Sequence, residues 1–438
     1  METLYQKSRI ISSLKKYFEP YMELLTNPTG IKLFMLLLAV LSMQTLTSVR
    51  HLHRWFLAGV SKVSLNSYYY LLSYTELPLE KFASVTIRKA VALISESHRK
   101  LPVLLLLDDT VQAKFGTKFE CWSTMFDHAS RSGSSYLSGH CFVALTLCVP
   151  VTVGGELRYL NVPVRFRMRG TDESKLTIAS EMIRDAMKAL AGIPTVILLC
   201  DSWYPKGDVL KTVESHDNLE LIANVRVDTA LYALPELTGK RGRPAKKGAR
   251  ESIHDFAFVP VEGYFMAAKT VMTNLFRNPV YATVTTPNFT NPGAYRLFIS
   301  TISAEALADI FSAHHLDGKY SQHPWLLPLY LYSIRWKIEV MFYELKTFWS
   351  FGRYMIRSKI GVENFVSIIS LAYASAVVLP LTDSTFSPLA DSSTQTVKYA
   401  VGEAVRRDLF FADFENIHVS TIFSATLWKC LNNLAFSA

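Results

Sequence analysis

Two apolar runs that each end in an aspartate constrain this chain more than anything else in it. PVLLLLDDT (102–110) and TVILLCDSWYP (195–205) are short, unbroken blocks of large aliphatic side chains. Such blocks are the pattern of strands buried on both faces, as in the middle of a sheet with helices on either side. Each delivers a carboxylate at its C-terminal end: Asp109, with Asp108 beside it, and Asp201. A charge at the end of a buried strand is costly without a partner, so these acids call for a cation.

The segments around them set the architecture. HCFVALTLCVPVTV (140–153) and ELRYLNVPVRFRM (156–168) read as strands joined through Gly154-Gly155 in a hairpin. SKLTIASEMIRDAMKAL (174–190) has helical spacing, and LELIANVRV (219–227) is a further strand. The order strand, strand, strand, helix, strand, helix, strand is that of a ribonuclease-H-like α/β core, a mixed sheet with helices. KRGRPAKKGAR (240–250) then carries six basic residues and no acid, and FAFVPV (256–261), VYATVTT (280–286) and YRLFISTIS (295–303) form an inserted β-rich subdomain. SQHPWLLP (321–328) leads into one long helix expected to run to about Ser350, and GVENFVSIISLAYASAVVL (361–379) makes another. The expected division is a helical DNA-binding region at 1–100, the first part of the core at 101–227, the insertion at 228–303, the second part of the core at 304–380 and a helical tail at 381–438.

The N-terminal region contains a helix, break, helix pattern. SVRHLHRWF (48–56) and SLNSYYYLL (64–72), with Ser64 as N-cap, flank a break centred on Gly59. Its basic and tyrosine side chains suit DNA contact, and an ordinary helical hairpin is the competing reading. A formal charge of +9 fits a polyanionic partner. The five cysteines are odd in number and form no CxxC pair, so neither a disulfide framework nor a zinc site is indicated, and a reducing, cytoplasmic setting is expected. LFMLLLAVL (33–41) falls short of the ~20 residues that cross a bilayer, so no membrane partner is expected.

The chemistry concentrates in LYLYSIRWKIEVMFYELKTFW (329–349). At about 100° per residue, with Tyr332 at zero, Arg335 falls near 300°, Glu339 near 340° and Lys346 near 320°. These four border an apolar stripe of Ile334, Ile338, Phe342, Leu345 and Trp349. Taken alone, Arg335–Glu339 is a routine i,i+4 ion pair. Together with two strand-terminal aspartates, Glu339 completes a set of oxygen donors suited to a hard cation such as Mg²⁺.

Tyr332-x2-Arg335-x3-Glu339-x6-Lys346 resembles the Y-R-E-K signature of the IS-four family of bacterial insertion-sequence transposases. Asp109-Thr110 and CDSWY (200–204) resemble that family's first and second catalytic motifs. The resemblance covers about 100–380 and implies a DDE triad of Asp109, Asp201 and Glu339 holding two Mg²⁺ ions, with Mn²⁺ as a substitute. Asp108 is the alternative first ligand or a partner of it. Tyr332, Arg335 and Lys346 are then expected to grip phosphates. The implied partners are double-stranded DNA, as terminal inverted repeats and target, and a second copy of the chain on paired ends. A base flipped at a hairpin end is expected to meet an aromatic side chain, with Trp325, Tyr264 and Phe265 as candidates. Lys240, Arg241 and Arg243 resemble an AT-hook core that enters a minor groove, against the alternative of a solvated loop. His140 and Asp127-His128 are read as structural. The rival readings are a ribonuclease-H-fold nuclease or resolvase and a non-catalytic DNA-binding protein.

Overall fold

The structure, a computed structural model, describes residues 9–116, 118–126, 136–236 and 245–415. The chain divides into two compact units. One comprises Met1–Val85, Gly116–Glu120 and Tyr343–Ala438, the other Thr86–Phe115 and Cys121–Phe342.

The second unit is built on one sheet. Its strands are β1 (Val103–Ala113), β2 (Ser123–Phe126), β3 (Tyr136–Val153), β4 (Glu156–Met168), β5 (Val196–Cys200), β6 (Leu219–Val225), β7 (Leu231–Tyr232), β8 (Arg250–Glu251), β9 (Val259–Val261), β10 (Tyr264–Thr273), β11 (Val280–Thr286) and β12 (Arg296–Ser300). β3 pairs antiparallel with both β4 and β1, and β1 runs parallel to β5, as β5 does to β6. The resulting order β4-β3-β1-β5-β6, with helices Lys175–Ala189 and Gly207–Glu214 on either side of β5 in sequence, is the ribonuclease-H-like core. The aliphatic runs explain the centre: Val103 to Leu107 and Val196 to Cys200 are all buried. The β3–β4 hairpin turns through Gly154 and Gly155 at φ +60° and +84°. Two consecutive positive φ values are what a two-residue primed turn requires, and glycine reaches them without strain. Ser174 caps the next helix by accepting from the Leu176 N–H.

The β-rich segment extends this same sheet. β12 pairs antiparallel with β6, and β11 and β10 follow outward. The core therefore continues into the insertion through backbone hydrogen bonds.

The run expected as one long helix is two. Leu327–Ser333 ends before Trp336–Thr347 begins. Between them the backbone bonds tighten to i→i+3, from Ile334 N to Leu331 O, Arg335 N to Tyr332 O and Ile338 N to Arg335 O. The Ser333 hydroxyl donates to the Tyr330 carbonyl at 2.6 Å, a local bond that competes with the helical ladder.

The first unit is helical, with Arg9–Met22, Asn27–Ser42, Leu65–Tyr74, Lys359–Thr382 and Thr394–Glu415 as its main elements. Lys359–Thr382 is its centre and is buried along most of its length. It is long and apolar enough to cross a membrane by length and composition, and 78% of its most apolar window is covered by protein. Asn364 donates to the carbonyls of Leu72 and Thr75 at 2.9 and 2.8 Å, satisfying orphan acceptors at the end of Leu65–Tyr74. Ser64 does cap that helix, by accepting from the Ser67 N–H. The preceding break falls at Ser61–Val63, after Gly59, which lies in a short helical turn. Of the three tyrosines, Tyr68 is buried, while Tyr70 is exposed and packs on exposed Tyr74 at 5.7 Å.

Candidate active site

Adjacent residues in a strand point to opposite faces, so Asp108 and Asp109 cannot share one. Asp108 is opposite Ala144 of β3, which is opposite Phe166 of β4. Phe166 meets Phe342 of helix Trp336–Thr347, ring centroids 6.2 Å apart, so Asp108 faces the helix that carries Glu339. Asp109 is opposite Val143, which is opposite Arg167. Arg167 pairs with Glu181, and Arg165 with Asp185 at 3.5 Å, both on helix Lys175–Ala189. Asp109 therefore lies on the other face of the sheet.

On the Glu339 face a connected set forms. Parallel pairing sets Leu107 beside Cys200, which brings Asp201, just past the end of β5, alongside Asp108 in the middle of β1. Asp201 Oδ1 accepts the Trp203 N–H at 3.0 Å, an Asx turn that fixes the carboxylate. Arg335 bridges the remaining acids, with one Nη 2.8 Å from Asp108 Oδ2 and the other 2.6 Å from Glu339 Oε1. Its guanidinium carbon lies 5.7 Å from the ring centre of Tyr332, which packs edge-on against Phe298. Burial pushes the Tyr332 hydroxyl up to about 12, so it is a hydrogen-bond donor at neutral pH. Burial alone would pull Arg335 down, but Tyr332, Asp108 and Glu339 together raise it, so its charge is permanent.

Asp109 has a separate network. It accepts from Lys175 Nζ at 2.8 Å and from the Tyr204 hydroxyl at 2.9 Å, while the Cys141 thiol lies 3.5 Å away. Lys175 also sits 4.0 Å from the Trp203 ring centre. Asp109 thus anchors, through Lys175 and Tyr204, the loop that bears Asp201.

The structure brings Asp201 and Glu339 to one face with Asp108, and places Asp109 on the opposite face. β1 is apolar on both sides, so its pattern carried no information on which of two consecutive acids faces the helix. Tyr332 and Arg335 join the set despite the helix break between them. Lys346 lies in the last turn of the Glu339 helix. Lys240, Arg241 and Arg243 fall outside the described residues, as do Asp127 and His128. His140 is fully buried. Sequence reasoning missed Lys175, Trp203 and Tyr204; the last two sit in the CDSWY motif, where an aromatic pair beside an acid was a signal that could have been followed.

Asp108 is the strained group. Burial pushes its pKa up to about 7, the Arg335 guanidinium opposes this, and the Asp201 charge adds to it. An unfolded aspartate titrates near 4. Above pH 7 the folded protein thus carries an ionised acid that is better tolerated unfolded, at a cost on the order of a few kcal/mol. Below pH 4 both states hold the proton and the cost vanishes. Asp108→Asn is therefore expected to melt higher than wild type near pH 8 without added metal, with the gap closing toward pH 4. Equal melting temperatures near pH 8 would contradict the burial argument.

The donor chemistry fits a divalent cation. Asp108, Asp201 and Glu339 offer only carboxylate oxygens, the choice of hard cations, and a cationic guanidinium already sits between two of them. Among the described residues, no three acid, histidine or cysteine side chains converge as a ready metal cluster.

Residues 20–262, more than half of the chain, match the family described as DDE superfamily endonuclease. The match contains both aspartate strands and ends before Glu339, so the third acid rests on the geometry. No curated protein matches the chain. With a ribonuclease-H-like sheet presenting acids within β1 and just past the end of β5, the chain belongs to the DDE superfamily endonuclease family.

Proposed function

We propose that the chain is a DNA transposase that excises and joins an insertion sequence, with Asp108, Asp201 and Glu339 as its acidic triad. The observation that carries this reading is Arg335 bridging Asp108 and Glu339 on one face of the core, with Asp201 beside Asp108 on the neighbouring strand. Bound Mg²⁺, for which Mn²⁺ can stand in, would lower the pKa of an attacking water or hydroxyl and neutralise charge on the leaving oxygen. Asp108, Asp201 and Glu339 would hold it. Arg335 is suited to a phosphate oxygen pair through its planar fork, Lys346 to a single phosphate charge, and Tyr332 to a hydroxyl hydrogen bond. By the Y-R-E-K resemblance these contacts would be made to the transposon end, with two copies of the chain on paired ends.

Beside Tyr332 lies a cavity of about 280 Å³ lined by Tyr264, Phe298, Tyr320, Met266 and Lys319 among others. Its aromatic walls suit an extruded base of the hairpin end, with Tyr264 as the stacking partner among the three aromatics expected from sequence. Tyr264→Ala is expected to reduce the emission gain of 2-aminopurine placed at the end position by half or more. An unchanged gain would remove this cavity from the mechanism.

The basic loop at 240–250 is assigned to DNA backbone or minor-groove contact. Each phosphate it neutralises should add about 0.9 to the slope of log affinity against log salt. Arg241→Ala with Arg243→Ala is expected to flatten that slope and weaken end binding, and an unaltered slope would make the loop solvated surface. The function as a whole is tested by incubating the chain with DNA carrying the element's terminal inverted repeats and a target duplex in Mg²⁺. Both excised and joined products are expected, whereas a nuclease would give cleavage alone and a DNA-binding protein neither.

A further inference from the structure

We infer that Arg335 holds the acid cluster closed to metal in the DNA-free protein, and that a DNA phosphate draws its guanidinium away and so couples metal loading to end binding. The inference rests on the reading of Asp108, Asp201 and Glu339 as metal-holding acids.

The seat of Arg335 carries the argument. Its two terminal nitrogens are divided between Asp108 and Glu339, at 2.8 and 2.6 Å, and its side chain is only 14% exposed. A divalent cation shared by those carboxylates would need oxygens at about 2.0–2.1 Å, in the space the guanidinium fills. The two cations therefore exclude each other between these oxygens.

The present seat is also incomplete. Arg335 Nε is buried and has no hydrogen-bond acceptor. A buried donor left unsatisfied is costly, and it reports a side chain whose best partner is elsewhere. A phosphate accepts two parallel N–H bonds from one guanidinium and can engage Nε with a terminal nitrogen. Moving onto a phosphate would satisfy the orphan nitrogen, and it would leave Asp108 and Glu339 bare beside Asp201. Bare acids in a partly buried cluster attract a cation strongly, so departure of Arg335 and arrival of metal reinforce each other. Linkage then requires the converse: metal must strengthen DNA binding by the same factor as DNA strengthens metal binding. A metal-loaded nuclease centre away from DNA ends would be avoided by this arrangement.

The test is Mn²⁺ binding to the full chain, read by the electron paramagnetic resonance of free Mn²⁺. It is run with and without a duplex carrying the terminal repeat, and corrected for Mn²⁺ held by the duplex alone. The wild type is expected to bind Mn²⁺ about tenfold tighter with the duplex than without, in the usual range of coupled sites. Arg335→Gln should bind it tightly without DNA and gain about twofold or less on adding the duplex. Arg335→Lys keeps the charge but cannot span two carboxylates through separate nitrogens, so its DNA-free affinity should rise too; it serves if the glutamine variant does not fold. Equal wild-type affinities with and without duplex, or DNA-free affinity unchanged in the Arg335 variants, would overturn the inference. Asp108→Asn and Glu339→Gln separate this failure from that of the site itself. If they lose Mn²⁺ while the Arg335 variants gain nothing, only the coupling is wrong. If, with the duplex present, they bind Mn²⁺ as tightly as the wild type does, the acids do not hold metal.

Discussion

Asp108→Asn is expected to lower single-turnover cleavage of an end duplex in Mg²⁺ by about a thousandfold or more, and Asp109→Asn by about tenfold or less. The ordering follows from the faces of β1. Asp108 shares its face with Glu339 and Arg335, whereas Asp109 faces Lys175 and Tyr204. Losing a ligand to a catalytic cation forfeits several kcal/mol of transition-state stabilisation, and each ~1.4 kcal/mol is a factor of ten. Asp109→Asn keeps the size and can still accept from Tyr204, so the loop bearing Asp201 loosens without losing a charge from the site. Its effect should show more in thermal stability than in rate. The reverse ordering would restore Asp109 as the ligand and require β1 to present its other face.

Glu339→Gln should abolish cleavage to a similar extent while leaving end binding without divalent metal within about twofold. The substitution keeps shape and removes only the charge that a cation needs. Arg335 retains its 2.8 Å pair with Asp108, so the helix should stay in place. Arg335→Ala differs, because it removes a phosphate contact and should weaken binding and cleavage together. Gel-shift and cleavage assays on the same labelled duplex distinguish the two patterns. Wild-type cutting by Glu339→Gln would make the Tyr332–Lys346 row a surface ion-pair arrangement.

Much of the fold was legible because its strongest signals are local. Unbroken aliphatic runs at 103–107 and 196–200 can only be central strands, and Gly154-Gly155 between alternating segments can only turn a hairpin. What the sequence withheld depends on three-dimensional pairing. A strand buried on both faces has no apolar alternation, so nothing local chose between Asp108 and Asp109. Only the pairing of Ala144 with Phe166, and of Phe166 with Phe342, identifies the facing acid. The helix break at Ile334–Arg335 was hidden because apolar spacing continues across it, and the bridging role of Arg335 is a tertiary fact. The joining of the β-rich segment to β6 was likewise not legible, since strand neighbours distant in sequence leave no periodic trace. Lys175 was invisible as an Asp109 partner for the same reason, 66 residues separating them.

The central claim is that Asp108, Asp201 and Glu339 together cut and join DNA. The most direct measurement is a combined excision and strand-transfer assay in Mg²⁺ on DNA bearing the terminal inverted repeats. It compares the wild type with Asp108→Asn, Asp109→Asn, Asp201→Asn and Glu339→Gln. The account predicts joined products from wild type and Asp109→Asn, and neither cut nor joined products from the other three. Joined products from any of those three at the wild-type rate, or none from the wild type, would contradict it.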